Sequence, residues 1–207
     1  MAAVKALLLK IPDNCSMNKN RLEAFGDGVL AIIITIMVLE IKTPHSTAWQ
    51  DIKPVLPVLF SYLASFVYVG IYWNNHHHLF HIVKSINGNV LWGNLHLLFW
   101  ISLLPFATSW MDENHFESLP VAFYGFILLM CGCAFKILTI AIIRCEGENS
   151  KLKEAFKNDT KTTVSLVLYL VAIALAFFYP VASLALYIAV AGIWFIPDSR
   201  IEKEFKK

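Results

Sequence analysis

The stretch Arg21-Leu22-Glu23-Ala24-Phe25-Gly26-Asp27-Gly28, followed directly by the apolar residues 29–39, decides the fold class of this chain. It places a basic and an acidic side chain at the mouth of an apolar helix in which Thr35 is the only hydroxyl residue. A carboxylate at the entrance of a membrane helix is costly, so by default it is a functional or assembly residue. Asp27 is therefore the first candidate for a functional residue.

Composition places the chain among polytopic membrane proteins. Of its 207 residues, 57% are hydrophobic and only 15% are charged, whereas a soluble domain carries about 25% charged residues. A lipid bilayer is therefore the expected surrounding over most of the surface. No basic run is interleaved with aromatic residues, and this argues against a nucleic-acid partner.

Six segments are apolar enough to be membrane spans, which need about 20 mostly apolar residues. We expect an all-α membrane protein with six transmembrane helices, near residues 25–41, 55–73, 90–110, 119–143, 164–178 and 181–196. Pro105 is expected to kink the third of them. The predicted organisation is an N-terminal tail (1–20), one six-helix unit (21–197) and a basic C-terminal tail (198–207).

The distribution of basic residues predicts the orientation of these spans. With the N-terminus in the cytoplasm, 14 Lys and Arg residues fall on the inside and only Lys42 and Lys53 fall in outside loops. The outside loop at residues 111–118 holds three acidic residues and no basic one. Cytoplasmic loops carry the excess of Lys and Arg, so both termini are predicted to be cytoplasmic.

Helical geometry separates two faces of the first span. A turn of about 100° per residue gathers seven residues on one side, here named the aliphatic stripe: Arg21, Phe25, Gly28, Ile32, Thr35, Ile36 and Leu39. Asp27 lies on another face, toward neighbouring helices. The stripe also suits ordinary packing against a sister helix, and Asp27 also suits the positive N-terminal end of a helix dipole.

Polar residues that are candidates to meet Asp27 gather at the same membrane depth. The second span ends in Asn74-Asn75-His76-His77-His78, and the third opens with Asn94 and His96. Buried polar groups in lipid must satisfy one another. We therefore expect a polar cluster at the cytoplasmic end of the first helix.

These residues resemble the transmembrane protein 175 family of potassium channels. The resemblance is carried by Arg21, Phe25 and Asp27, then by Ala31-Ile32, Thr35 and Leu39-Glu40 in the same helix. Trp73 with His76-His77, and Leu104-Pro105-Phe106, are similar to further family features. Gly26 stands where the family usually has serine, and a single six-helix unit resembles the prokaryotic form.

The resemblance implies a homotetramer in a prokaryotic cell membrane, with the first helix lining a central pore for potassium. Ile32, Ile36 and Leu39 would form apolar rings at the constriction, and Thr35 would contribute a selectivity ring of hydroxyls. The cytoplasmic end would be held by a motif and polar cluster of Arg21, Phe25, Asp27, Trp73, His76, His77 and Asn94. No cofactor is implied, and monovalent cations are the permeant species.

Two other classes of function remain open at this stage. A proton-linked transporter or proton channel would use Asp27 with nearby histidines, since histidine titrates near neutral pH. A membrane enzyme or metal site would use the histidines of residues 76–81, but only His77 and His81 share a helix face, and no acidic residue stands at a useful spacing.

Overall fold

The computed structural model describes residues 19–44, 48–83, 86–147 and 159–195, and the regular structure in these ranges is entirely helical. Eight helices lie in this part of the chain: α1 (Lys19–Leu39), α2 (Trp49–Ile52), α3 (Val55–Ile82), α4 (Gly88–Ser102), α5 (Leu104–Glu113), α6 (Ser118–Glu146), α7 (Thr160–Ala176) and α8 (Pro180–Phe195).

Four segments are long and apolar enough to cross a membrane, namely Lys19–Leu39, Trp49–His81, Gly88–Glu113 and Ser118–Glu146. The third of these contains both α4 and α5, and α7 and α8 are shorter apolar helices. Within the described residues, the helices thus form six apolar segments, each close to an expected span. The largest difference is α3, which continues beyond Trp73 through the polar run of residues 74–78.

The predicted tails fall almost wholly outside the described residues, since residues 1–18 and 196–207 are not among them. Lys84 and the basic residues at 151, 153 and 157, which entered the charge count, also lie outside the described ranges. The cytoplasmic placement of both termini therefore stays a prediction. Below, the end of α1 at Lys19 is called its inner end and the end at Leu39 its outer end.

Where a kink was expected at Pro105, the structure has a break at Leu103, between α4 and α5. Pro105 has no backbone N–H, so it cannot donate the hydrogen bond that a continuous helix would make to the carbonyl of Ile101. The N–H of Leu103 instead bonds to the carbonyl of Trp100 at 3.2 Å. The third apolar segment is therefore two helices in succession.

Helix α6 forms the centre of the bundle. It packs against α4, α5, α7 and α8, while α1 lies at the periphery against α3, α4 and α5. The interior between them is apolar, with fully buried side chains that include Phe80, Leu97, Ile127, Leu128 and Leu138. Helix α1 is therefore joined to the rest of the chain from one side only.

A line of buried polar side chains follows one face of α3: Ser61, Ser65, Tyr68, Tyr72 and Asn75. The hydroxyl of Ser65 is 2.8 Å from that of Thr108 on α5 and 3.0 Å from that of Tyr124 on α6. Tyr68 donates to the backbone carbonyl of Tyr187 on α8, and Tyr169 on α7 donates to the Tyr68 hydroxyl. Hydrogen bonds between membrane helices add stability to packing, so this line fixes α3 to four other helices.

Gly125 of α6, which has no side chain, leaves space for one of the tyrosines. The ring of Tyr187 lies against Gly125 of α6, so a Cβ added at Gly125 would overlap the Tyr187 hydroxyl. That hydroxyl donates to the carbonyl of Val121 at 3.3 Å. Helices α6 and α8 approach closely here because residue 125 has no side chain.

Replacing Gly125 by alanine is expected to destabilise the fold, because Tyr187 must leave its place between α6 and α8. Overpacking of this kind costs about 1–3 kcal/mol. The matched control is Gly70→Ala on α3, where an added Cβ meets no other atom within 4 Å. Thermal unfolding of both variants in detergent should show a lower midpoint only for Gly125→Ala; equal midpoints would contradict this account.

Candidate functional site

Helix α1 buries one face against its own chain. Its buried residues are Leu22, Gly26, Leu30, Ile33 and Met37, at spacings of four, four, three and four. These spacings keep the five residues on one side of an α-helix. This side faces α3, α4 and α5, the helices against which α1 packs.

The aliphatic stripe lies on the opposite side of α1 and is uncovered by the described residues. Four large apolar side chains on it are exposed by 53% (Phe25), 61% (Ile32), 43% (Ile36) and 76% (Leu39). Arg21, Gly28 and Thr35 are exposed as well. The face derived from helical spacing is therefore not used for packing within this subunit, and it is available to lipid or to another chain.

Thr35 is the one hydroxyl residue on this face. Its Oγ1 donates to the backbone carbonyl of Ala31 at 2.9 Å. Because the hydroxyl hydrogen is engaged with the helix backbone, the oxygen lone pairs remain available on the exposed side. In chemical terms Thr35 is thus a hydrogen-bond acceptor among the apolar side chains of this face.

At the inner end, Asp27 pairs with Trp73 of α3. The indole Nε1–H of Trp73 donates to Oδ1 of Asp27 at 2.9 Å, and the Trp73 ring stacks on His77 with centroids 6.0 Å apart. Asp27, Trp73 and His77 are all exposed. The carboxylate therefore reaches sideways to α3.

His76 forms a second, buried pair with Asn94. His76 Nε2 lies 2.7 Å from Asn94 Oδ1, which joins α3 to α4, and both side chains are buried. The His76 ring also lies behind Gly26, where a Cβ would come within 3.5 Å of it. The amide nitrogen of Asn94 has no hydrogen-bond partner among the described residues.

The expected polar cluster is thus divided into two pairs. Asp27 bonds to Trp73 and not to His76, while His96, another candidate partner, accepts from Trp100 Nε1 at 2.9 Å. Sequence reasoning expected these residues at one depth. It did not assign the individual partners, because pairing depends on how the helices rotate against each other.

The outer end of α1 carries two contacts that the sequence analysis did not identify. Ser109 of α5 donates to Glu40 at 3.2 Å, and Lys42 forms a salt bridge with Glu113 at 2.9 Å. The hydrogen bond and the charge of Glu113 raise the pKa of Lys42. The partners in each contact are about 70 positions apart in the chain, so local spacing gave no signal for them.

The described part of the chain contains no group of three or more His, Cys, Asp or Glu residues placed to hold a metal ion. The rings of His77 and His81 do lie on one helix face, with centroids 6.3 Å apart. Two ligands alone do not complete a metal site of the usual four-coordinate kind.

Comparisons with known proteins agree on one family. Residues 21–105 match the family described as "Endosomal/lysosomal potassium channel TMEM175". A potassium channel of Chryseobacterium sp. (strain P1-3) is 58% identical over 191 residues, which cover 92% of this chain and 100% of that protein. The endosomal/lysosomal proton channel TMEM175 of Bos taurus is 31% identical over 182 residues, which cover 78% of this chain and 37% of that protein.

The fold is also that of a solved relative. The crystal structure of a lysosomal potassium-selective channel TMEM175 homolog from Chamaesiphon minutus superposes with a TM-score of 0.72 at 26% identity. The match covers 87% of this chain and 97% of that one. With this sequence identity, this fold and a membrane-spanning helical bundle in common, the chain belongs to the TMEM175 family of potassium channels.

Proposed function

We propose that this chain is the subunit of a homotetrameric, potassium-selective channel whose central pore is lined by α1. The observation that carries the proposal is the aliphatic stripe, a continuous exposed face on a helix that packs its other side against its own chain. The potassium channels among its relatives support the same reading. The permeant ion is K⁺, and no cofactor is required.

Symmetric assembly gives the stripe a partner. Closed rotational symmetry is the usual arrangement of homo-oligomers, and four copies of α1 around an axis would bring four identical stripes together. Each α1 would keep its buried face against α3, α4 and α5. The subunits would be anchored in the lipid bilayer by their other apolar helices, in a bacterial cell membrane and with both termini on the cytoplasmic side.

Rings of Ile32, Ile36 and Leu39 would form the narrow part of the pore. Hydrophobic constrictions gate by dewetting, since a narrow apolar ring excludes water and a slightly wider one admits it. An ion that passes such a ring must give up part of its hydration shell. Potassium does so more readily than sodium, so a tight apolar ring favours potassium.

The Thr35 ring would offset part of this dehydration. Four hydroxyl oxygens, each with its hydrogen directed to the carbonyl of Ala31, would point lone pairs toward the passing cation. In carbonyl filters, oxygens replace the hydration shell of the ion. A single ring of hydroxyls offers fewer oxygens, so its selectivity is expected to be weaker than that of a carbonyl filter.

The inner-end residues would position α1 for this role. The bond between Asp27 and Trp73 fixes α1 against α3, and the His76 ring lies beside Gly26, 3.5 Å from the position that a Cβ would take. Asn94 extends this support to α4 through His76. Arg21, Phe25 and His77 surround the same entrance and complete the motif.

A proton channel is the second candidate, because the bovine relative carries that name. A relay through Asp27 and His76 would need these groups to exchange protons directly or through water. In this subunit Asp27 is paired with an indole N–H, which is a donor only, and His76 is paired with an amide. This pairing favours potassium conduction over an Asp–His proton relay.

The decisive experiment is flux through purified protein in liposomes loaded with potassium. Potassium efflux that requires the protein, and a reversal potential that follows the potassium gradient, are the expected results. A reversal potential that follows the pH gradient instead would establish the proton channel. Empty liposomes and liposomes with an unrelated six-helix protein serve as controls.

Replacing Thr35 by alanine is expected to lower the potassium-to-sodium permeability ratio several-fold, because four oxygens leave the pore. Bi-ionic reversal potentials measure this ratio directly. Thr163→Ala is the matched control, since Thr163 also donates to a carbonyl four residues earlier but lies at the start of α7. An unchanged ratio in Thr35→Ala would remove Thr35 from the selectivity mechanism.

Replacing Leu39 by alanine is expected to raise the basal potassium flux several-fold, because the smaller side chain widens the apolar ring and lets water enter. Leu170→Ala is the control, as Leu170 is an equally apolar, exposed residue on α7. The measurement is the initial rate of efflux at equal protein density. If the two variants leak equally, Leu39 does not form the constriction.

A further inference from the structure

A cavity of about 240 Å³ lies behind the outer end of α1. Met37 is the α1 residue that faces it from the buried side, while Ile36 and Leu39 lie on the exposed side. The cavity is therefore separated from the aliphatic stripe by the thickness of one helix. We name it the outer recess.

The outer recess has an apolar floor and an acidic rim. Its floor is formed by Met37 together with Val55, Val58, Tyr62 and Pro105 from α3 and α5. Its rim carries three carboxylates and one amine: Glu40, Asp112, Glu113 and Lys42. Lys42 is engaged with Glu113, so the remainder of the rim is negative.

Asp112 is the half-buried member of this rim. It accepts a hydrogen bond from Ser61 Oγ, and no Lys or Arg of the described residues lies within salt-bridge distance of it. Partial removal from water disfavours the charged form of a carboxyl group, and a cation placed beside it favours that form. The chemistry that suits the recess is thus a cation with an apolar body.

We propose that the outer recess binds a small organic ammonium ion, with its apolar part on the floor and its charge beside Asp112. Small-molecule sites are typically concave and mostly apolar, with a few polar groups that fix orientation. A hydrated inorganic cation suits the recess less well, because the lining is largely apolar.

Such a ligand would act on the pore proposed above, and this part of the inference rests on that function. The outer end of α1 is tied to α5 by two exposed polar contacts, Ser109 with Glu40 and Lys42 with Glu113. Exposed pairs of this kind hold weakly. Movement of the outer end of α1 into the recess would widen the Leu39 ring. A ligand bound in the recess would block this movement and so lower the potassium flux.

Binding is tested first, independently of any flux. Fluorine NMR of 4-fluorobenzylammonium, titrated with the purified protein in nanodiscs, should show saturable binding. 4-Fluorobenzyl alcohol, which has the same ring without the charge, should bind at least several-fold more weakly. Equal binding of the two probes would mean that both partition into lipid. Absence of saturable binding would mean that lipid fills the recess. Either result overturns the proposal.

Two variants locate the site. Asp112→Asn removes the charge with little change of shape, and Val58→Phe fills the floor. Both should weaken binding at least several-fold, whereas Leu59→Phe, an exposed neighbour outside the recess lining, should leave it unchanged. Binding that survives in Asp112→Asn and Val58→Phe but is lost in Thr35→Ala would place the ion in the pore and overturn the proposal.

Flux then tests the coupling to α1. The ammonium probe should slow potassium efflux from liposomes that contain the native protein and leave efflux through Asp112→Asn unchanged. If the probe binds but the flux does not change, the proposed coupling to α1 is wrong and the proposed binding site still stands. If the native protein passes no potassium at all, the proposed channel function fails, while the NMR titration still decides whether the recess binds the ion.

Discussion

Helix α1 is buried on one face and uncovered on the other, and most of the subunit's properties depend on this asymmetry. Its five buried residues pack against α3, α4 and α5, while the aliphatic stripe stays exposed. Lipid tails are as apolar as leucine, so no hydrophobic force drives such a face into association. In the proposed tetramer, close packing between identical helices would have to supply that energy instead.

The polar residues of the subunit are divided between two tasks. One group, on α3 and its neighbours, lies in the interior and bonds helix to helix through the hydroxyls of Ser65, Tyr68 and Tyr169. The other group lies at the ends of α1, with Asp27 and Trp73 at the inner end and Glu40 and Ser109 at the outer end. Between these ends the buried face of α1 is apolar, so its middle is held by packing alone.

Sequence reasoning predicted those features that depend on local rules. The 3.6-residue period placed Ile32, Thr35 and Leu39 on one face, which the described residues leave exposed, and the kink expected at Pro105 lies close to the break between α4 and α5. It could not predict that Tyr187 would occupy the space at Gly125, or that Asp27 would accept a hydrogen bond from Trp73 and none from a histidine. Both depend on the relative rotation and distance of helices far apart in the chain, which no single-helix period encodes.

The two ends of α1 differ in how firmly they are held against the rest of the chain. At the inner end Asp27 bonds to Trp73, and the buried ring of His76 lies beside Gly26, so packed side chains stand behind the helix. At the outer end the ties of Glu40 and Lys42 are exposed, and a cavity lies behind them instead of packed side chains. A helix held firmly at one end and weakly at the other moves most at the weak end. Under the proposed function, the gate would therefore be expected nearer Leu39 than Phe25.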